Sequence, residues 1–140
     1  MARRLILDSG AVSAIAQGDR RALVWAKLAL LHGVLINIPA PVLAETLTGR
    51  STDAIVHRAF DIPECVLETT AEIAKEAGSL RFRAHSNQTI DAIVVATAAR
   101  HPKSIILTSD VDDLQRFVDE RPDAGLAVRS IDTMSKGKFP

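Results

Sequence analysis

The sequence predicts an α/β protein in three layers, α/β/α, with a central and mainly parallel sheet. Short apolar runs of strand type alternate along the chain with longer segments of helical period, and strands separated by helices imply parallel pairing with both faces covered. The most apolar of the helical segments, "TIDAIVVATAAR" (Thr89–Arg100), is apolar nearly all round, the mark of a helix buried in such a layer. Repeats, low-complexity tracts and linkers are absent from the 140 residues, which fits one domain spanning 1–140.

The elements follow in order. "RLIL" (Arg4–Leu7) is a short buried-type strand, and "AVSAIAQ" reads as a helix ending at Gly18. "DRRALVWAKLALLHG" opens on a capping Asp19 and closes on Gly33. "VLINIP" (Val34–Pro39) is a second strand. "PVLAETLTG" begins with Pro41 in a first helical turn and stops at Gly49, and "STDAIVHRAF" forms a further helix capped by Ser51 or Thr52. After Pro63 comes a weak strand around Cys65–Thr69. Ala71–Phe82 is amphipathic, with Ile73, Ala77 and Leu80 on one face, and "AHSNQ" is a polar loop before the buried helix. "SIILT" is the clearest strand, "DVDDLQRFVDE" a short helix and "GLAVRSI" a last strand.

Composition narrows the function. Seventeen basic side chains balance seventeen acidic ones, so a nucleic-acid contact requires a local basic patch. Cys65 is alone, which excludes an intrachain disulfide and suits a reducing compartment. "MARRLIL" imitates the start of a signal peptide, but Asp8 interrupts the apolar run too early, and no segment has the length to span a bilayer. A soluble, cytoplasmic protein without membrane contact is expected.

Two strands end directly in acid: "LILD" at Asp8 and "IILTSD" at Asp110. Open parallel sheets bind ligands beyond the carboxyl ends of their strands, where strand order reverses. If these two strands are neighbours there, their acids face each other across the crevice. Ser9 and Gly10, both small, permit a tight turn and the close approach of another group. Asp110 and Asp113 lie three apart at a helix start and project from one side, whereas Asp112 points elsewhere. Asp91 is the one charge that the apolar helix carries inward. Glu45 lies one turn into its helix, on the side away from Leu43 and Leu47, the expected core face.

Capping and the helix dipole favour an Asp at the positions of Asp91 and Asp110 in any case, by roughly 0.3–1 kcal/mol each. Asp8, closing a buried strand, has no such routine structural job. Two carboxylates about 4 Å apart repel by roughly 4 kcal/mol at an effective dielectric of 20. Several in one cleft must be protonated, paired or neutralised by a cation, and an all-oxygen donor set suits Mg²⁺ or Mn²⁺. His32, His57, His85 and His101 lack ligand spacing and Cys65 has no companion, which argues against zinc.

The pieces "LILDSGAVSAI", "PAPVLAETL", "TIDAIVVATA" and "LTSDVDDL", in this order and over nearly the whole chain, resemble the PIN-domain nucleases and, among them, the VapC-type toxins of toxin–antitoxin pairs. The resemblance implies a PIN-like fold in which Asp8, Glu45, Asp91 and Asp110 are catalytic acids. It also implies that Asp8, Asp91, Asp110 and Asp113 gather around Mg²⁺ or Mn²⁺, with the hydroxyls of Ser9 and Thr108 in support. Leu114 stands where the family often has an aromatic residue, a packing position. The activity implied is metal-dependent hydrolysis of RNA phosphodiester bonds by an endoribonuclease toxin. A VapB-type antitoxin is the implied partner and a homodimer the implied assembly.

Arg20, Arg21, Arg50, Arg81, Arg83 and His85 are candidate phosphate contacts, equally readable as solvated surface charges. Aromatic residues form 4% of the chain and Tyr is absent, so extensive base stacking is not expected. The competing reading is a non-catalytic PIN-like or receiver-like module that binds partners through the same acid pocket. A receiver domain normally pairs acids beside the first strand and places a Lys after a late one, whereas "LILDSG" offers one acid and Lys103 precedes its strand. A haloacid-dehalogenase-like phosphatase needs a second Asp where Gly10 stands.

Overall fold

The computed structural model describes residues 3–133 and 139–140. Five strands form one sheet in the order β3-β2-β1-β4-β5, and every pairing is parallel. The strands are β1 (Arg4–Leu7), β2 (Leu35–Pro39), β3 (Val66–Leu67), β4 (Ile105–Thr108) and β5 (Ala127–Ser130). Leu5, Ile6, Leu7, Ile105, Ile106 and Leu107 are all buried, which explains why β1 and β4 read as continuous apolar runs instead of alternating ones. Each such side chain stabilises the fold by roughly 1.5–3 kcal/mol relative to exposure.

Among the described residues seven α-helices connect the strands: α1 (Ser9–Ala16), α2 (Arg20–Leu31), α3 (Ala40–Thr46), α4 (Ala54–Ala59), α5 (Ala71–Ala84), α6 (Thr89–Ala99) and α7 (Val111–Val118). Parallel crossovers are right-handed, so the direction of travel across the sheet decides which face a helix covers. The chain moves one way from β1 to β2 to β3, placing α1–α4 on one face. It then returns across the sheet to β4 and β5, placing α5–α7 on the other. The predicted three layers and parallel sheet are both present, and strand order reverses between β1 and β4. No helix of the described residues is long and apolar enough to cross a membrane.

The predicted elements are found with short shifts at their ends. Asp19 caps α2 through the Ala22 amide at 3.1 Å. α5 runs two residues past Phe82, to a left-handed His85. Two expectations need correction. "STDAIVHRAF" is not one helix capped by Ser51 or Thr52: Ser51–Asp53 form a 3-10 turn, neither hydroxyl caps it, and α4 starts at Ala54. The strand expected around Cys65–Thr69 shrinks to Val66–Leu67, because pairing at the sheet edge reaches only the register Ile38↔Val66 and Pro39↔Leu67. In α3 the fully buried core residue is Val42; Leu43 and Leu47 are half-buried.

Candidate functional site

β1 and β4 pair with Leu7 opposite Leu107, so the next residues, Asp8 and Thr108, come side by side at the carboxyl end of the sheet. The Thr108 hydroxyl donates to Asp8 Oδ2, and the Asp110 amide donates to Thr108 Oγ1 at 2.9 Å. The Ala11 amide donates to Asp8 Oδ1 at 2.9 Å. Asp8 therefore does serve the fold, as the N-cap of α1. The residues for which capping was the ordinary explanation do not use it. Asp110 stands at the N-cap of α7 and Asp91 in the first turn of α6, yet neither helix has a side-chain cap hydrogen bond.

The acids nevertheless share one electrostatic environment. Burial, first, and then the charges of Asp8, Glu45, Asp113 and Asp110 push the Asp91 carboxyl up to about 6. Burial also raises Asp8 against the opposing hydrogen bonds from Thr108 and Ala11, and the Glu45 charge adds to the rise. The groups that β1, α3, α6 and the β4–α7 turn carry thus act on one another across the switch point. Asp113 is half-buried and among the leading charges that raise Asp91; Asp112 is exposed. Glu45 is exposed and lies with Asp91 on the wall of a cleft of about 390 Å³.

Among the described residues, no ion pair joins Asp8, Glu45, Asp91, Asp110 or Asp113 to a lysine, arginine or histidine. Nor are three His, Cys, Asp or Glu side chains drawn into a ready-made ligand shell there. The arrangement is an open set of carboxylates. The donors are all hard oxygens, two of them raised by burial and mutual repulsion, and they fit a divalent cation such as Mg²⁺ or Mn²⁺ better than zinc.

Gly10 admits a close neighbour. A β-carbon built there would overlap Ser109 Oγ and lie 3.1 Å from Ser109 Cβ. The close approach inferred from Ser9 and Gly10 is therefore made by Ser109, which no spacing or pattern in the chain singles out. Ser9 starts α1 half-buried, and its hydroxyl makes no hydrogen bond among those of the described residues.

The candidate phosphate contacts are dispersed. Arg21 pairs with Asp132 at 2.9 Å, Arg83 donates to the Glu120 carbonyl at 3.4 Å, and Arg20 borders an apolar groove. None of the six lines the cleft beside Glu45 and Asp91. Sequence reasoning also passed over Asn87 and Gln88, which do line it; their only signal was their position in the turn directly before Asp91.

No protein-family profile matches the sequence, and no curated protein matches it. Solved structures do match. A chain in the structure of FitAB bound to an IR36 DNA fragment aligns over 94% of this chain and 98% of its own length, with 18% identity and a TM-score of 0.66. A chain of VapBC-1 from nontypeable Haemophilus influenzae aligns over 93% and 99%, with 14% identity and a TM-score of 0.65. One from VapBC2 of Rickettsia felis, bound to a fragment of its promoter DNA, aligns over 91% and 98%, with 16% identity and a TM-score of 0.63. A parallel sheet of this order is thus a fold that the chain shares with these chains from the FitAB and VapBC structures.

Proposed function

We propose that the chain is a metal-dependent endoribonuclease toxin held in check by an antitoxin. The observation that carries this reading is the gathering around Asp91 of four further carboxylates from three separate parts of the chain, Asp8, Glu45 and the Asp110–Asp113 turn, without a cationic side chain paired to them among the described residues. The PIN-type fold and the four sequence motifs support it.

Asp8, Asp91 and Asp110, with Asp113, would hold Mg²⁺ or Mn²⁺. Such an ion supplies acidity to a bound water and neutralises charge that develops on the phosphate oxygens. The protein's own contribution is positional. Thr108 and the Ala11 amide fix both oxygens of Asp8, and Thr108 ties the Asp110 backbone to the same network. Glu45, exposed on the cleft wall, can join the ligand set or accept a proton from the attacking water. No covalent nucleophile is required. Lys103 lies at the amino end of β4 near Gly125, away from the acids, which weighs against a receiver-like role.

We assign the antitoxin to an apolar groove of about 530 Å³ that runs beside α2, lined by Leu23, Val24, Leu30 and Ile62, with Arg20 and Lys27 also in its wall. It suits an amphipathic helix with acidic flanks. A homodimer is the assembly we expect, to be checked by light scattering.

The test is incubation with structured RNA and with duplex DNA, in Mg²⁺, in Mn²⁺ and in chelator, for the wild type and Asp8→Asn. Cleavage of RNA alone, dependent on the ion and lost in the variant, is the expected result. Cleavage retained by Asp8→Asn would overturn the proposal.

A further inference from the structure

We propose that the connection Ser86–Gln88 before α6 reads one unpaired nucleobase beside the scissile phosphate, through the side-chain amides of Asn87 and Gln88. This rests on the nuclease reading above and assigns that site its source of sequence preference.

The cleft that holds Glu45 and Asp91 is lined otherwise by Asn87, Gln88, Thr89 and Ile90. At about 390 Å³ it lies near the small end of ligand sites, nearer to one nucleotide than to a longer segment. Its chemistry excludes other occupants. Lysine and arginine are absent from the lining and two carboxylates are present, so its own side chains do not recruit a phosphate, which would be held only through the ion. Without an aromatic ring it offers no π-stacking platform. What it offers is half-buried Ile90, an apolar surface on which a base can rest, and two amides.

Each amide carries one acceptor and two donors, the combination that pairs with base edges. Both residues are exposed, and neither side-chain amide takes part in a hydrogen bond among the described residues. The turn holds its shape by other groups. The Ser86 amide donates to the Arg81 carbonyl at 3.1 Å, the Gln88 backbone amide donates to Ser86 Oγ at 3.3 Å, and Thr89 Oγ1 donates to the Asn87 carbonyl at 3.4 Å. The left-handed backbone of His85, φ 52°, directs the chain into this turn. Two unengaged amides on a turn held by hydrogen bonds that do not involve them, three and four residues before Asp91, form a preorganised reader. RNA-specific proteins read unpaired bases in this way, by hydrogen bonds to splayed-out edges.

The test uses the full-length protein and a randomised RNA, with the base frequencies around each cut read by end sequencing. The wild type should prefer a base at one position fixed relative to the cut. In the Asn87→Ala/Gln88→Ala double variant, favoured and disfavoured sequences should converge by about 5- to 150-fold, the range of a good bidentate base contact. A second readout avoids cleavage: fluorescence anisotropy of Asp8→Asn with labelled oligo(A), oligo(C) and oligo(U) in chelator. The spread of affinities among the three should narrow when the double substitution is added. An unchanged preference in the double variant, equal slowing on all sequences, or a wild type without base preference would each overturn the inference while leaving the nuclease reading in place. A wild type that cuts no RNA with either ion would remove both.

Discussion

Asp8 and Asp53 are each 8% exposed, yet the protein treats them in opposite ways. Both oxygens of Asp53 accept from the Thr48 amide at 3.0 Å, Oδ1 also accepts from the Thr48 hydroxyl at 2.9 Å, and Oδ2 accepts from the Gly49 amide at 2.7 Å. Partial burial works to raise this carboxyl, but those hydrogen bonds and the nearby His57 together hold it below its ordinary value. Asp8 has two donors, Thr108 and the Ala11 amide, and Glu45 as a charged neighbour, and there burial prevails and the carboxyl is raised. Equal exposure therefore does not make two carboxylates equivalent; the balance of donors against like charges sets the direction in which each is shifted. Asp53 clips the chain as it leaves α3, whereas Asp8 belongs to the acidic set to which the proposal assigns a cation.

The largest effect should come from neutralising the second kind. Asp8→Asn should reduce RNA cleavage by more than about 100-fold, since even the groups that merely support metal ligands are worth about 10–100-fold. Asparagine caps helices as well as aspartate does, so its oxygen can still accept from the Ala11 amide. The variant should melt no lower than the wild type in chelator. Asp53→Ala should behave in the opposite sense, with a melting point several degrees lower and cleavage retained at temperatures well below it. Loss of activity without loss of stability in Asp53→Ala would break the comparison.

The same contrast predicts opposite limbs of the pH–stability curve in metal-free buffer. Asp91, raised to about 6, binds its proton more tightly in the folded state. Its contribution is complete below the unfolded value near 4 and is lost as the pH rises through about 6, a change of up to about 3 kcal/mol before screening. Asp91→Asn should thus raise the melting point at neutral pH and leave it unchanged at about pH 4. Asp53, held low, contributes above the unfolded value and loses that contribution as the pH falls through its folded value. Asp53→Asn should flatten only the acid limb. Thermal melts of both variants across pH check the signs; matching slopes would mean that the two carboxyls are not distinguished.

The sequence revealed the sheet and the switch point because β1 and β4 are buried on both faces, and two such strands ending in acid announce where a crevice must lie. It read the cap at Asp19 correctly but, among the clustered acids, expected capping at Asp91 and Asp110 and not at Asp8. Capping depends on the backbone angles at one residue, and the β-region conformation of Asp8, φ −84° and ψ −179°, directs its carboxylate to the Ala11 amide in a way that residue spacing does not encode. Asp53 was illegible for a related reason. Its partners Thr48 and Gly49 precede it, so the motif resembles the start of a helix when it is in fact a clip on the preceding turn. Asn87 and Gln88 read as loop polarity because nothing local distinguishes an amide facing solvent from one facing a cleft.

The smallest expected effect separates two adjacent residues of the same type. Asp112 and Asp113 both lie in the first turn of α7, where the helix dipole favours either by a similar amount. About 100° of helical rotation divides them, and it leaves Asp113 half-buried toward Asp91 and Asp112 in solvent. Asp113→Asn should therefore lower RNA cleavage by about 10-fold, the lower end of the range for groups that support a metal site. Asp112→Asn should remain within about twofold of the wild type, as an ordinary surface substitution does. Since both variants lose one negative charge from the same turn, the dipole contribution cancels between them and the difference isolates proximity to the acids. Equal losses would place the effect in the general field around α7, and a larger loss for Asp112→Asn would exchange their roles.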